Sequence, residues 1–222
     1  MKPPLLFDLD GTITDPRPGF IASVHYALRA LDEPIPEEND LLPFIGPPLR
    51  GTFEILLRTT ERDTIERAVS LYRERLYDGG MFEAEVYPRM RELLTELADE
   101  GYRLFVATGK PEGCAEQIIE HFGFSPLFEK VRGALPDGQF CDKAELVSDL
   151  YQQNGLTPGH GIMIGDTHFD IRAGRLNGLQ TIAVDWGYGS VEEMKDGGCD
   201  HFVKTADKLG QTIRSVPQPV TK

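Results

Sequence analysis

The chain has 222 residues, 40% of them hydrophobic, with 36 Asp and Glu against 23 Lys and Arg and a formal net charge of −13. That length allows one large domain, or one domain carrying a smaller one, with enough apolar content for a packed core. An acidic surface repels nucleic acid and anionic membranes, and no run of Lys and Arg provides a local exception, so neither is an expected partner.

No apolar run approaches the ~18 residues that a membrane span needs. Met1-Lys2-Pro3-Pro4 is too short and too polar for a signal peptide. The three cysteines, Cys114, Cys141 and Cys199, are widely spaced and form no C-x-x-C pair. The expected location is therefore the cytoplasm, with no disulfide framework and no cysteine zinc site. His25, His121, His160, His168 and His201 share no metal-ligand spacing.

Residues 5–9, Leu-Leu-Phe-Asp-Leu, predict a short buried strand that runs into the turn signal Asp10-Gly11-Thr12. From Phe20 the apolar residues Val24, Ala27, Leu28 and Leu31 recur at three and four, which predicts a helix. Helical periods continue over 49–57 and 65–76, broken at Pro34, Pro36, Pro47 and Pro48. No strand-like run occurs between 16 and 83, so that block is expected to be wholly helical. Beyond it the pattern predicts helices over 90–98, 112–122 and 143–154, and strands over 103–107, 161–164 and 181–184. The tail 215–222, with two prolines, is expected to fray. Strands alternating with helices indicate an α/β fold with an open, Rossmann-like parallel sheet. Its core would comprise 1–15 and 84–222, interrupted by a small all-helical domain at 16–83.

In open parallel sheets ligands bind beyond the carboxyl ends of the strands. Four polar clusters stand at such positions. The first, Asp8-Leu9-Asp10-Gly11-Thr12, sets two carboxylates two residues apart, on one face of an ideal strand. Such a pair is costly to bury without a cation, and magnesium suits oxygen ligands; the other reading is a plain turn. The second, Thr108-Gly109-Lys110, offers a hydroxyl and backbone amides ahead of a helix, a natural phosphate cradle, although Thr108 could equally act as a helix cap. The third is Lys143 at a helix start, a compact charge able to balance carboxylates and a phosphate, or else a solvated surface lysine. The fourth, Gly165-Asp166-Thr167-His168-Phe169-Asp170, follows a buried strand; a helix beginning here puts Asp166 near its N-cap and Asp170 one turn later. His168 is read as facing solvent, since magnesium sites favour oxygen.

Taken together these clusters resemble the signatures of phosphatases of the haloacid dehalogenase superfamily. D-x-D-G-T stands as Asp8-Leu9-Asp10-Gly11-Thr12, the Thr signature as Thr108, the Lys signature as Lys143, and G-D-x-x-x-D as Gly165-Asp166 through Asp170. Within the superfamily the chain is similar to phosphoglycolate phosphatases and their relatives, some of which hydrolyse nucleotides. The resemblance implies a small-molecule phosphate ester as substrate and magnesium as cofactor. It implies Asp8 as the nucleophile that becomes an aspartyl-phosphate, and Asp10 as general acid and base. Asp8, Asp166, the carbonyl of Asp10 and, directly or through water, Asp170 would hold the metal. Thr108, Lys143 and the amides after Asp8 would hold the transferring oxygens, and 16–83 would be a mobile cap. Where related phosphoglycolate phosphatases commonly show Thr-Asn-Lys, this chain has Thr108-Gly109-Lys110, so Gly109 removes a side chain at the substrate position. Lys110 either faces the phosphate or lies exposed at the helix start. In the cap, Gly46-Pro47-Pro48 forms a stiff break, and Arg50 beside it either binds an anionic part of the substrate or forms a surface salt bridge; Arg17 is a weaker candidate. Trp186, in Trp-Gly-Tyr-Gly after the last predicted strand, is read as packing near the cleft mouth.

Asp10 argues against a dehalogenase. The absence of any lysine between Lys2 and Lys110 argues against a phosphonatase with a cap Schiff base. A sugar-phosphate mutase and a catalytically silent binding protein on the same fold are the alternatives. A monomer or a homodimer is expected.

Overall fold

The computed structural model describes residues 2–135 and 142–216. Cys141 and residues 217–222 of the predicted tail lie outside them. Two compact units emerge, one of residues 1–14 and 86–222 and one of residues 15–85.

In chain order the first unit opens with β1 (Leu5–Phe7), and the chain enters the second through β2 (Thr14–Asp15). The second unit holds α1 (Arg17–Ala30), α2 (Glu38–Leu41), α3 (Leu49–Leu57) and α4 (Arg62–Tyr77). The chain leaves it through β3 (Glu85–Val86). The first unit then continues with α5 (Met90–Asp99), β4 (Leu104–Pro111), α6 (Glu112–His121), β5 (Lys130–Ala134), α7 (Lys143–Gln153), β6 (Ile162–Gly165), α8 (His168–Leu176), β7 (Gln180–Val184), α9 (Val191–Asp196), β8 (His201–Val203) and α10 (Ala206–Ser215).

Six strands form one sheet in the order β5-β4-β1-β6-β7-β8, and the strand pairs are parallel. β1 lies at the centre, Leu5 opposite Leu104 on one side and Ile162 on the other. Leu5, Leu6 and Phe7 are all fully buried, as a strand covered on both faces requires. One face carries Leu6, Phe105 and Met163 against Leu146, Val147 and Leu150 of α7 and Ala173 of α8. β1 ends at Phe7 rather than at residue 9, because the chain turns back there. β5 and β8 escaped the sequence pattern: β5 alternates half-buried and buried residues, and β8 is a three-residue edge strand. α10 also went unread, although Ala206, Leu209 and Ile213 form a regular buried stripe behind the Thr205 N-cap.

The helical unit has its own small core. Tyr72 of α4 meets Phe20 of α1 and Phe53 of α3 edge-on, with ring centroids 5.9 and 6.3 Å apart. Ile65, Ala68 and Val69 bury the same face of α4. Among the described residues no helix is long and apolar enough to cross a membrane. Cys114 is buried and Cys199 is half-buried.

α8 approaches the sheet closely at Gly174. A Cβ there would stand 2.5 Å from Cγ2 of Thr181 and 3.0 Å from Cβ of Met163. Thr181 cannot rotate away, since its hydroxyl donates to Asp200 at 2.9 Å and accepts the Asp200 amide at 3.0 Å. In a free helix Gly→Ala gains about 1 kcal/mol. Here the methyl overpacks a locked contact, so Gly174→Ala is expected to cost ~1–3 kcal/mol, read as a lower urea midpoint with an unchanged slope.

Candidate active site

The carboxyl ends of β4, β1 and β6 are neighbours, and each leads into a polar loop. After Phe7 the amide of Asp8 still bonds the Ile164 carbonyl at 2.9 Å, and then residues 9–14 close a tight turn. The amides of Ile13 and Thr14 both donate to the Leu9 carbonyl, and that of Gly11 to the Thr14 carbonyl. Gly11 has φ +82°, and a Cβ on it would lie 2.2 Å from Oδ2 of Asp166. Both the backbone and the close approach therefore demand glycine. Asp8 and Asp10, on either side of the start of this turn, pair with different lysines, Lys143 and Lys110.

Asp8 is buried. Its Oδ1 accepts the Leu9 amide at 2.7 Å, and Nζ of Lys143 stands 2.9 Å from its Oδ2. Lys143, the first residue of α7, also donates to Oδ1 of Asp170 at 2.6 Å, and only 9% of its side chain is exposed. The other oxygen of Asp170 accepts the amide and hydroxyl of Thr167, at 3.0 and 2.7 Å, at the start of α8. Asp166 ends β6. Its Oδ1 accepts the Thr12 hydroxyl at 3.2 Å, and its Oδ2 accepts the Tyr188 amide at 2.8 Å.

Asp8, Asp166 and Asp170 each offer a carboxylate oxygen within 4.8 Å of the others, and all three are buried. Burial pushes the Asp8 carboxyl up to about 6; the Lys143 ammonium pulls the other way, and the Asp170 charge adds to the rise. Burial, then Asp170 and Asp8, push Asp166 up to about 7. For Lys143 burial opposes the charge, but Asp170 and Asp8 outweigh it and hold the ammonium above its ordinary value. Three buried acids against one ammonium, all hard oxygen donors at close range, suit a divalent cation such as magnesium.

β4 runs on to Pro111, but its register with β5 shifts between Ala107 and Pro111, so Thr108-Gly109-Lys110 bulges from the ladder. A Cβ on Gly133 would lie 2.4 Å from the Lys110 carbonyl, so the bulge needs glycine across from it. Thr108 is buried, and its Oγ1 accepts the Lys110 amide at 3.3 Å. Lys110 points inward with 12% of its side chain exposed, and its Nζ donates to Oδ2 of Asp10 at 2.5 Å. Nothing lies within 4 Å of where a Cβ on Gly109 would stand, so packing does not dictate the missing side chain.

Within the helical unit, Arg50 pairs with both oxygens of Glu66, at 2.5 and 3.2 Å, and Arg17 pairs with Asp15 at 2.9 Å. His168 is half-buried, with its Nδ1 3.2 Å from a carboxylate oxygen of Glu193. Trp186 donates its indole N–H to the Thr12 carbonyl at 3.1 Å. The Thr12 hydroxyl, the Tyr188 amide and the Thr167 donors were not singled out from the sequence. The glycines flanking Tyr188 were the available signal.

The raised carboxyls set a pH dependence. Both sit above the unfolded value of 3.8, so the stability they contribute is complete below about pH 4 and is lost as pH rises through about 6 to 7. A cation must displace those protons. In EDTA the Tm is therefore expected to fall between pH 5 and 8, and the rise given by magnesium to grow from almost nothing at pH 5 to several degrees at pH 8, at about 2–4 °C per kcal/mol. A magnesium increment that stays constant across this range, measured by differential scanning fluorimetry, would contradict the cation site.

The profile of the haloacid dehalogenase-like hydrolases matches residues 5–184. A 5'-nucleotidase of Pseudomonas aeruginosa is 38% identical over 213 residues, 96% of each chain. The tyrosine-protein kinase PtkA of Mycobacterium tuberculosis is 32% identical over 188 residues, which are 85% of this chain and 64% of that one. Among solved structures, a predicted phosphatase from Clostridium acetobutylicum superposes with a TM-score of 0.89 at 34% identity, covering 97% of this chain and 100% of that one. With the profile spanning most of the chain and relatives of this closeness, the protein is a phosphatase of the haloacid dehalogenase-like hydrolase family.

Proposed function

We propose that the chain is a magnesium-dependent phosphatase of small phosphate monoesters, acting through an aspartyl-phosphate on Asp8. The observation that carries this reading is Lys143 held between Asp8 and Asp170, beside Asp166, at the end of the central strand. The substrate class is phosphoglycolate-like esters or nucleoside 5'-monophosphates, the second in keeping with the related 5'-nucleotidase.

Asp8, Asp166, the Asp10 carbonyl and Asp170 would hold the metal. When bound, magnesium would neutralise the carboxylates and the incoming phosphate. A carboxylate nucleophile needs no deprotonation at neutral pH. An oxygen of Asp8 bonds to phosphorus as the ester P–O bond breaks, and Asp10 donates its proton to the leaving oxygen. Asp10 then takes a proton from water, whose oxygen bonds to phosphorus as the bond to Asp8 breaks, releasing phosphate and restoring both carboxyls. Thr108, Lys143 and the amides after Asp8 hold the phosphoryl oxygens, the electrostatic positioning on which phosphoryl transfer depends. Residues 16–83 serve as the cap over a core of 1–15 and 84–222. Gly109 and Arg50 shape the choice of leaving group.

A panel of p-nitrophenyl phosphate, phosphoglycolate, nucleoside monophosphates and sugar phosphates, assayed with magnesium and with EDTA, tests the reading. Asp8→Asn is expected to abolish turnover in a folded protein. Asp10→Asn is expected to slow esters with poor leaving groups by about 10²–10⁴-fold and p-nitrophenyl phosphate much less, since that phenolate leaves without a proton. Asp8→Asn activity within tenfold of wild type would end the assignment.

A further inference from the structure

Asp166 is enclosed by backbone. Besides Gly11, it is met by Gly187 and Gly189 of the loop between β7 and α9. A Cβ on Gly187 would lie 2.3 Å from Cβ of Asp166, and one on Gly189 would lie 1.9 Å from the Asp166 carbonyl oxygen. Only with glycine on both sides does the Tyr188 amide reach Oδ2 of Asp166. Glycine, however, leaves a loop many alternative conformations, so something else must select this one.

Two anchors are present. On the far side, Ser190 caps α9, its hydroxyl accepting the Glu193 amide at 3.3 Å. On the near side stands Trp186, the single tryptophan of the chain. Its ring packs on Tyr87, with centroids 6.2 Å apart, and its indole N–H donates to the Thr12 carbonyl at 3.1 Å. Thr12 in turn donates its hydroxyl to Oδ1 of Asp166. The bonds form a closed circuit, from Trp186 to Thr12, from Thr12 to one oxygen of Asp166, and from the other oxygen through the Tyr188 amide back to the loop that carries Trp186.

We propose that Trp186 is a positioning residue for the divalent cation: its indole N–H pins the glycine-rich loop to the turn after β1, and so fixes both oxygens of Asp166 for the metal. The inference rests on the reading of Asp8, Asp166 and Asp170 as a magnesium site. Partners that orient a metal ligand typically contribute 10–100-fold to affinity when the ligand depends on them. The energy is organisational, since the loop must otherwise be ordered when the cation binds.

Manganese alone is the probe, titrated into purified protein and followed by the EPR signal of the free ion, with circular dichroism confirming the fold of each variant. Trp186→Phe keeps a ring against Tyr87 and removes the N–H; it is expected to weaken manganese binding about tenfold. Tyr87→Leu removes the ring contact and spares the N–H, and is expected to stay within threefold of wild type. Gly187→Ala leaves Trp186 intact but sets a methyl on Asp166, and is expected to lose at least as much as Trp186→Phe; it also supplies the test if Trp186→Phe does not fold. Wild-type affinity in Trp186→Phe or in Gly187→Ala overturns the proposal, as does an equal loss in Tyr87→Leu, which would assign the effect to ring packing. A wild-type protein that binds no manganese overturns the cation site itself and this inference with it, a result distinct from the others.

Discussion

The site is organised around a shortage of positive charge. Three buried carboxylates converge on one buried ammonium. Each buried charge costs several kcal/mol unless it is paired, so removing any one member leaves its partners exposed to that penalty. Lys143 is also on the unfavourable end of its helix, since the N-terminus of α7 carries partial positive charge. It is stable there because Asp8 and Asp170 take its proton donors. The same contact knits α7 to α8. Asn177 donates to the Ala144 carbonyl at 3.0 Å, and Arg172 pairs with Asp142 at 2.9 Å alongside. The chemistry and the packing of these two helices are thus one structure.

Parallel topology makes the convergence possible. β4, β1 and β6 are adjacent and point the same way, so their last residues fall in a row although they lie far apart in the chain. Each exit is then made irregular in its own manner. The first is a turn closed on the Leu9 carbonyl, the second a bulge opposite Gly133, and the third a strand running straight into Asp166. These departures bring Asp8 to Lys143 and Asp10 to Lys110.

Much of this was legible in the residues, because buried strands that end in acids break the usual pattern of burial and advertise themselves. Asp8, Asp166, Asp170 and Lys143 could be picked out by type and position, and the structure brings them together. The inward turn of Lys110 could not, since a lysine after a strand is exposed as often as not and the bulge that redirects it depends on Gly133 in a strand the pattern did not reveal. The donors to Asp166 were hidden for another reason. A backbone amide has no residue type, and only the glycines that permit its approach leave a trace, in Trp186-Gly187-Tyr188-Gly189. For Arg50, beside a proline break, the residues left open both a substrate anion and a surface ion pair, and the structure gives it a pair with Glu66.

The charge count also explains how so acidic a chain can receive an anion. Among the described residues, Asp8, Asp10, Asp166 and Asp170 face only Lys110 and Lys143 in the loops at the strand ends. A divalent cation, as proposed for this site, would offset that excess of acid, and the backbone amides after Asp8 would add further positive potential. At physiological ionic strength the charges elsewhere on the surface are screened within about 8 Å, so the overall negative sign weighs little against contacts made inside the site. In the proposed reading the cation would therefore offset charge as well as polarise the phosphate. Without it the acids at the strand ends are only partly balanced by Lys110 and Lys143, and with it the proposed site would meet a phosphate with far less negative charge.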